Sequence, residues 1–118
     1  MDFEWIRPEY HTNTMTPEAK VKKKVKQILD SFGCYHFYAF TGGYGRSGVP
    51  DIIACYKGRF IAVECKAGKN KTTALQDLNI TQIRENQGLA LVVNEGNISE
   101  LVELLEGLSD GFYGEVGA

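Results

Sequence analysis

A chain of 118 residues holds one domain with a modest core, and 43% hydrophobic against 24% charged residues places it among globular rather than disordered proteins. No apolar run approaches the about 20 residues that span a bilayer, and three cysteines (Cys34, Cys55, Cys65) without CxxC spacing exclude a disulfide framework or zinc site and indicate a reducing compartment. The net charge of −2 conceals a split: 12 Lys/Arg against 7 Asp/Glu up to Lys71 (+5), then Arg84 alone against 8 acids (−7). Local fields attract phosphate, so the basic part is where a nucleic-acid partner is to be sought.

Residues 1–15 read as an N-terminal arm without the basic and apolar regions of a secretory signal. Its Phe3, Trp5, Ile6 and Tyr10 call for packing, on this domain or on another subunit. Thr16-Pro17-Glu18 is a helix start. Val21, Val25, Ile28, Leu29 and Phe32 follow at helical spacing, and Gly33 supplies the stop. Lysines 20, 22, 23, 24 and 26 cover the remaining circumference, a face that is either solvated or set against phosphates.

An aromatic strand is predicted over Tyr35–Phe40. The loop TGGYGRSG lacks the Gly-Lys-Ser/Thr ending of a P-loop, so no nucleotide cofactor is expected; Arg46 remains available to a phosphate. Strands over Asp51–Tyr56 and Arg59–Lys66 then form a hairpin about Lys57-Gly58. Lys69 and Lys71 lie in a basic loop, and a second helix spans Thr73–Gln87, closed by Gly88. A buried strand, Leu89–Asn94, and an acidic helix, Asn97–Leu108, complete the pattern. The order predicts one α/β domain over 16–108, with helices flanking a mixed sheet, a C-terminal helix and a tail at 109–118. The strands on either side of the second helix should be parallel neighbours through a right-handed crossover.

A two-residue turn at Lys57-Gly58 pairs Tyr56 with Arg59 and Ala54 with Ile61, and so sets Asp51 opposite Glu64. Opposed carboxylates repel unless a cation lies between them. Alternation puts Lys66 on the face of Glu64, while Cys65 turns its side chain away and leaves its carbonyl beside the acids. Two carboxylates and a carbonyl suit a hard cation such as Mg²⁺ or Mn²⁺. Glu18, on the stripe of Val21 and Val25, is either a helix-dipole partner or a further ligand. Gln76 shares the face of Ile80 and Ile83 and points inward, where an amide needs partners. Singly, each residue has a plain explanation: a turn, a solvated strand edge. Together they converge on one corner suited to phosphodiester hydrolysis. A one-residue register slip would undo it.

Pro50-Asp51, twelve residues, then Glu64-Cys65-Lys66, with Glu18 upstream, resembles the PD-(D/E)XK nucleases. SGVPD, the VECK strand end, and Gln76 followed by Gly88 and LALVV are similar to the VRR-Nuc group, whose small stand-alone members are largely phage-encoded. The resemblance implies a restriction-endonuclease-like αβββαβ core and a Mg²⁺- or Mn²⁺-dependent DNA endonuclease. Such an enzyme would act on branched DNA such as Holliday junctions, as a homodimer in the cytoplasm (the host's, if phage-encoded). It also implies metal ligation by Glu18, Asp51, Glu64 and the Cys65 carbonyl, and catalytic roles for Asp51, Glu64, Lys66 and Gln76. Arg46, Lys20, Lys23, Lys24, Lys69 and Lys71 are the expected DNA contacts. The alternative is a non-catalytic DNA- or protein-binding module that keeps the fold.

Overall fold

A computed structural model describes residues 15–40 and 45–111. The aromatic residues of the arm, Gly42 and Gly43 of the glycine-rich loop, and residues 112–118 lie outside the described residues.

The elements run α1 (Pro17–Ser31), β1 (Tyr35–Tyr38), β2 (Ile52–Tyr56), β3 (Arg59–Cys65), α2 (Ala74–Glu85), β4 (Leu89–Val93) and α3 (Ser99–Ser109). Helix α1 begins where the sequence places it: Thr16 Oγ1 accepts the Ala19 N–H at 3.1 Å and Pro17 occupies the first turn. It ends through Gly33 at φ +75°, with the Cys34 N–H donating to the Leu29 carbonyl. Val21, Val25 and Leu29 form its buried stripe.

The strands lie in the order β1-β2-β3-β4, antiparallel except for the parallel β3–β4 pair that α2 connects. Lys57 and Gly58 both take positive φ (51° and 79°), as a two-residue hairpin of this twist demands. The register is the predicted one, Tyr56 with Arg59 and Ala54 with Ile61, but regular pairing stops at Ile52 with Val63. Asp51 and Lys66 fall just outside their strands, each still pinned through the backbone. The Ala39 N–H donates to the Asp51 carbonyl at 2.8 Å, and the Lys66 N–H to the Val93 carbonyl at 2.9 Å. The first strand is likewise shorter than expected, ending at Tyr38 rather than Phe40.

The sheet separates two apolar layers. Ile52, Ala54, Ile61, Val63 and Cys65 alternate onto one face, against α1 and the Leu101–Leu105–Leu108 stripe of α3. Ala62 and Ala90 face α2 and meet Ile80. Small residues let α2 lie close to the β3–β4 half of its face. Among the described residues no helix covers the β1–β2 half, and Phe37 of β1 and Phe60 at the start of β3 stay exposed.

The exit of α2 differs from expectation in one respect. The left-handed residue is Gln87 (φ 65°), while the Gly88 N–H returns to the Ile83 carbonyl at 2.9 Å. Glycine is needed at 88 for space: a Cβ there would lie 2.7 Å from Ile83 Cγ2, 3.1 Å from the Ile83 carbonyl oxygen and 3.2 Å from Phe60. Gly88→Ala should therefore cost about 1–3 kcal/mol through overpacking against backbone. The expected result is a lower urea midpoint with an unchanged slope.

Candidate active site

The corner forms where the open end of the β2–β3 hairpin meets the start of α2 and the first turns of α1. The Cys65 N–H, which a longer ladder would have paired with the β2 backbone, instead donates to Asp51 Oδ2 at 2.8 Å. That bond draws the Asp51 carboxylate across the hairpin to the start of the Cys65-Lys66 segment. Cys65 itself points into the core, fully buried, and burial, reinforced by the charge of Asp51, pushes its thiol up to about 12. It is no nucleophile, and its side chain leaves the corner as alternation requires.

Glu64 is the centre of the arrangement, with 2% of its surface exposed. Its Oε2 accepts from Gln76 Nε2 at 3.1 Å and lies 3.4 Å from Lys66 Nζ; its Oε1 is buried without a hydrogen-bond partner among the described residues. Desolvation raises the carboxyl from its ordinary value near 4.5 to about 7, the Asp51 charge adds to the rise, and Lys66 opposes it. Gln76 is aimed by the capping box of α2. The Thr73 N–H donates to Gln76 Oε1 at 2.9 Å, and the Gln76 N–H donates to Thr73 Oγ1 at 3.2 Å. With its carbonyl oxygen committed to the helix cap, the amide nitrogen is turned toward Glu64.

The α1 side of the corner holds a residue that sequence reasoning left on the general lysine face. Lys22 Nζ lies 3.8 Å from Glu18 Oε2 and 3.6 Å from Asp51 Oδ1, so it bridges the two carboxylates. The available signal was its i,i+4 spacing from Glu18. Glu18 is accordingly a partly exposed partner of Lys22, not a buried group of the sheet-facing stripe. Among the described residues no three His, Cys, Asp or Glu side chains are gathered as a ready metal cluster. The expected trio of Glu18, Asp51 and Glu64 is spread by two contacts: Lys22 occupies the space between Glu18 and Asp51, and Asp51 is turned to the Cys65 N–H. The donor chemistry nevertheless fits a hard cation, since a buried carboxylate oxygen without a donor, beside a second carboxylate, is a group that a cation satisfies.

The remaining candidates are exposed surface residues. Lys20, Lys23 and Lys24 are exposed on α1, off the Val21–Val25–Leu29 stripe, and Lys69 and Lys71 are exposed in the loop after β3. Arg46 is exposed and donates to the Gln82 side chain of α2.

An αβββαβ order with an Asp, a Glu and a Lys brought to one hairpin end defines the class of PD-(D/E)XK nucleases. Within it, the chain belongs to the family described as archaeal Holliday junction resolvase (hjc), which residues 18–88 match, more than half of the sequence. That span begins at Glu18 and ends at Gly88, so every residue of the corner falls within it. Comparison with curated proteins gives no match.

The environment of Glu64 sets a pH dependence. The folded carboxyl keeps its proton above the pH at which the unfolded one loses it. Stability from this group is therefore complete below about pH 4.5 and is lost as the pH rises through about 7. In EDTA, wild-type unfolding free energy should fall by up to about 3 kcal/mol across that window through this group. Glu64→Gln should flatten the fall in urea titrations; an unchanged slope would place the titration elsewhere.

Proposed function

We propose that this chain is a divalent-metal-dependent DNA endonuclease that cuts branched DNA such as Holliday junctions, acting as a homodimer. The observation that carries the reading is Glu64: a buried carboxylate with one oxygen lacking a donor among the described residues and the other shared by Gln76 and Lys66. Such a group is costly to keep unless a cation satisfies it during function. The family membership supplies the junction as substrate class.

In this reading Glu18, Asp51, Glu64 and the Cys65 carbonyl hold Mg²⁺ or Mn²⁺. The ion would polarise the scissile phosphate and lower the pKa of the attacking water. Lys66, tethered by its backbone to Val93 and by its ammonium to Glu64, presents positive charge where negative charge grows on the phosphate. Gln76 holds Glu64 in orientation through an amide already fixed by the helix cap. Lys22 pairs with both Asp51 and Glu18, so it would compete with a cation for them, and its ammonium, once displaced, would be available to the DNA backbone.

Arg46, Lys20, Lys23, Lys24, Lys69 and Lys71 would meet phosphates on either side of the corner. Paired cuts across a symmetric junction require two such corners, hence a two-fold dimer. We read residues 16–108 as the nuclease domain, between an arm at 1–15 and a tail at 109–118, working in a cytoplasm and similar in motif to stand-alone VRR-Nuc proteins of phage.

Four-way junctions incubated with Mg²⁺ or Mn²⁺ should be nicked in symmetric pairs, while linear duplex is cut more slowly. Glu64→Ala and Lys66→Ala should each lose at least about 100-fold of that rate, as removal of a group acting on transition-state charge does. Wild-type-like cleavage by Glu64→Ala would sink the assignment. Lys22→Met should lower the Mn²⁺ concentration that gives half-maximal thermal stabilisation, because a competing cation is gone; a higher or unchanged value would remove Lys22 from the site.

A further inference from the structure

The half-covered face of the sheet continues from the catalytic corner into an open groove of about 1160 Å³. Phe37, Phe40 and Phe60 line it from the sheet side, Arg46 and Arg59 from its rim, and amide side chains of α2, among them Asn79 and Gln82, from the other wall. Phe37 is 48% exposed and Phe60 46% exposed. The groove exceeds the roughly 300–1,000 Å³ of small-molecule sites and is open along one side, so it suits an extended ligand. It is also continuous with the chemistry. Pro50 lines it, Asp51 is the next residue, and α2 carries Gln76 at its start and Asn79 and Gln82 farther along.

We propose that this groove receives unpaired nucleotides of the branched substrate, with bases stacked on Phe37 and Phe60 and phosphates drawn to Arg46 and Arg59. The inference rests on the reading of the corner as a nuclease for branched DNA. Exposed flat rings interleaved with guanidinium groups and amides are the chemistry that grips unstacked bases without a fixed sequence. Cations alone would serve a duplex backbone, whereas rings, amides and guanidinium groups together match bases and phosphates.

Charge also decides between DNA and a second copy of the chain. Among the described residues, no Asp or Glu lines the groove. A two-fold interface built on it would bring Arg46 and Arg59 of both copies together with no carboxylate to answer them, whereas a phosphate backbone answers both. The arginines are already steadied for that role. Arg59 donates to the Gln87 carbonyl at 3.2 Å and Arg46 to the Gln82 side chain, and further N–H groups of each guanidinium remain to donate.

The test is fluorescence anisotropy in EDTA, with a labelled short oligothymidylate and a labelled linear duplex as probes. Wild type should bind the oligothymidylate. Phe60→Leu and Phe37→Leu keep apolar volume but lose the flat ring, and each should weaken that binding about five-fold or more. Their duplex affinity, thermal midpoint and sedimentation mass should stay near wild type. Unchanged oligothymidylate affinity in both variants overturns the proposal. A Phe60→Leu protein that sediments at half the wild-type mass also overturns it, since a second copy then occupies the groove. Wild type that cuts junctions with Mg²⁺ yet ignores oligothymidylate defeats the groove alone. Wild type that binds oligothymidylate through Phe60 and Phe37 but cuts nothing supports the groove and defeats the nuclease reading.

Discussion

The two-residue turn at Lys57-Gly58 governs the rest of the molecule. Both residues adopt positive φ, which fixes the β2–β3 register. From that register follow the face onto which each side chain points and the end at which Asp51 and Glu64 emerge. A slip of one residue would exchange the Ile61–Val63–Cys65 face for the Ala62–Glu64 face. It would drive a carboxylate into the α1–α3 core and expose the largest apolar side chains of the sheet. Core packing and site assembly therefore select the same register, and neither is adjustable without the other.

The corner then shows how a stable fold keeps an unstable group. Glu64 lies almost wholly buried, with Asp51 close enough to raise its pKa further. Lys66 and Gln76 offset part of this cost on one oxygen, and none of the described residues does so on the other. The backbone supplies the rigidity that this tension needs. Asp51 is held by the Ala39 N–H, Lys66 by the Val93 carbonyl, and Gln76 by its own helix cap. Three elements are thereby locked at their termini, where side chains can converge without breaking a ladder or a helix. Buried, like-charged groups held this firmly are a mark of a site rather than of structural economy.

The same sheet has two unlike faces. On the α1–α3 side branched side chains fill the space completely; on the α2 side the alanines at 62 and 90 draw one helix close to the β3–β4 half. A single helix cannot cover four strands, and among the described residues Phe37 of β1 and Phe60 at the start of β3 are left exposed. Asymmetric covering is thus built from residue size, and it places an exposed aromatic surface beside the carboxylate corner.

Much of this was legible locally. Thr16-Pro17, Gly33, the Lys57-Gly58 turn and the period of each apolar run report backbone preferences that neighbouring residues decide, so element order, register and the inward aim of Gln76 could be read along the chain. The strand ends could not. Asp51 and Lys66 have the composition to continue their strands, but whether a ladder extends depends on a partner backbone elsewhere. Lys22 looked like one lysine among five, because its separation from Asp51 is set by the docking of α1 on the sheet and leaves no trace in spacing. Gly88 looked like a helix stop, yet its requirement is room for Ile83 and Phe60, a contact between distant elements. The sequence by itself determined which residues meet at the corner's end of the hairpin, since turn geometry and alternation are local. Only the tertiary structure decided what each touches there and which aromatic rings stay open, since those depend on the distance between packed layers.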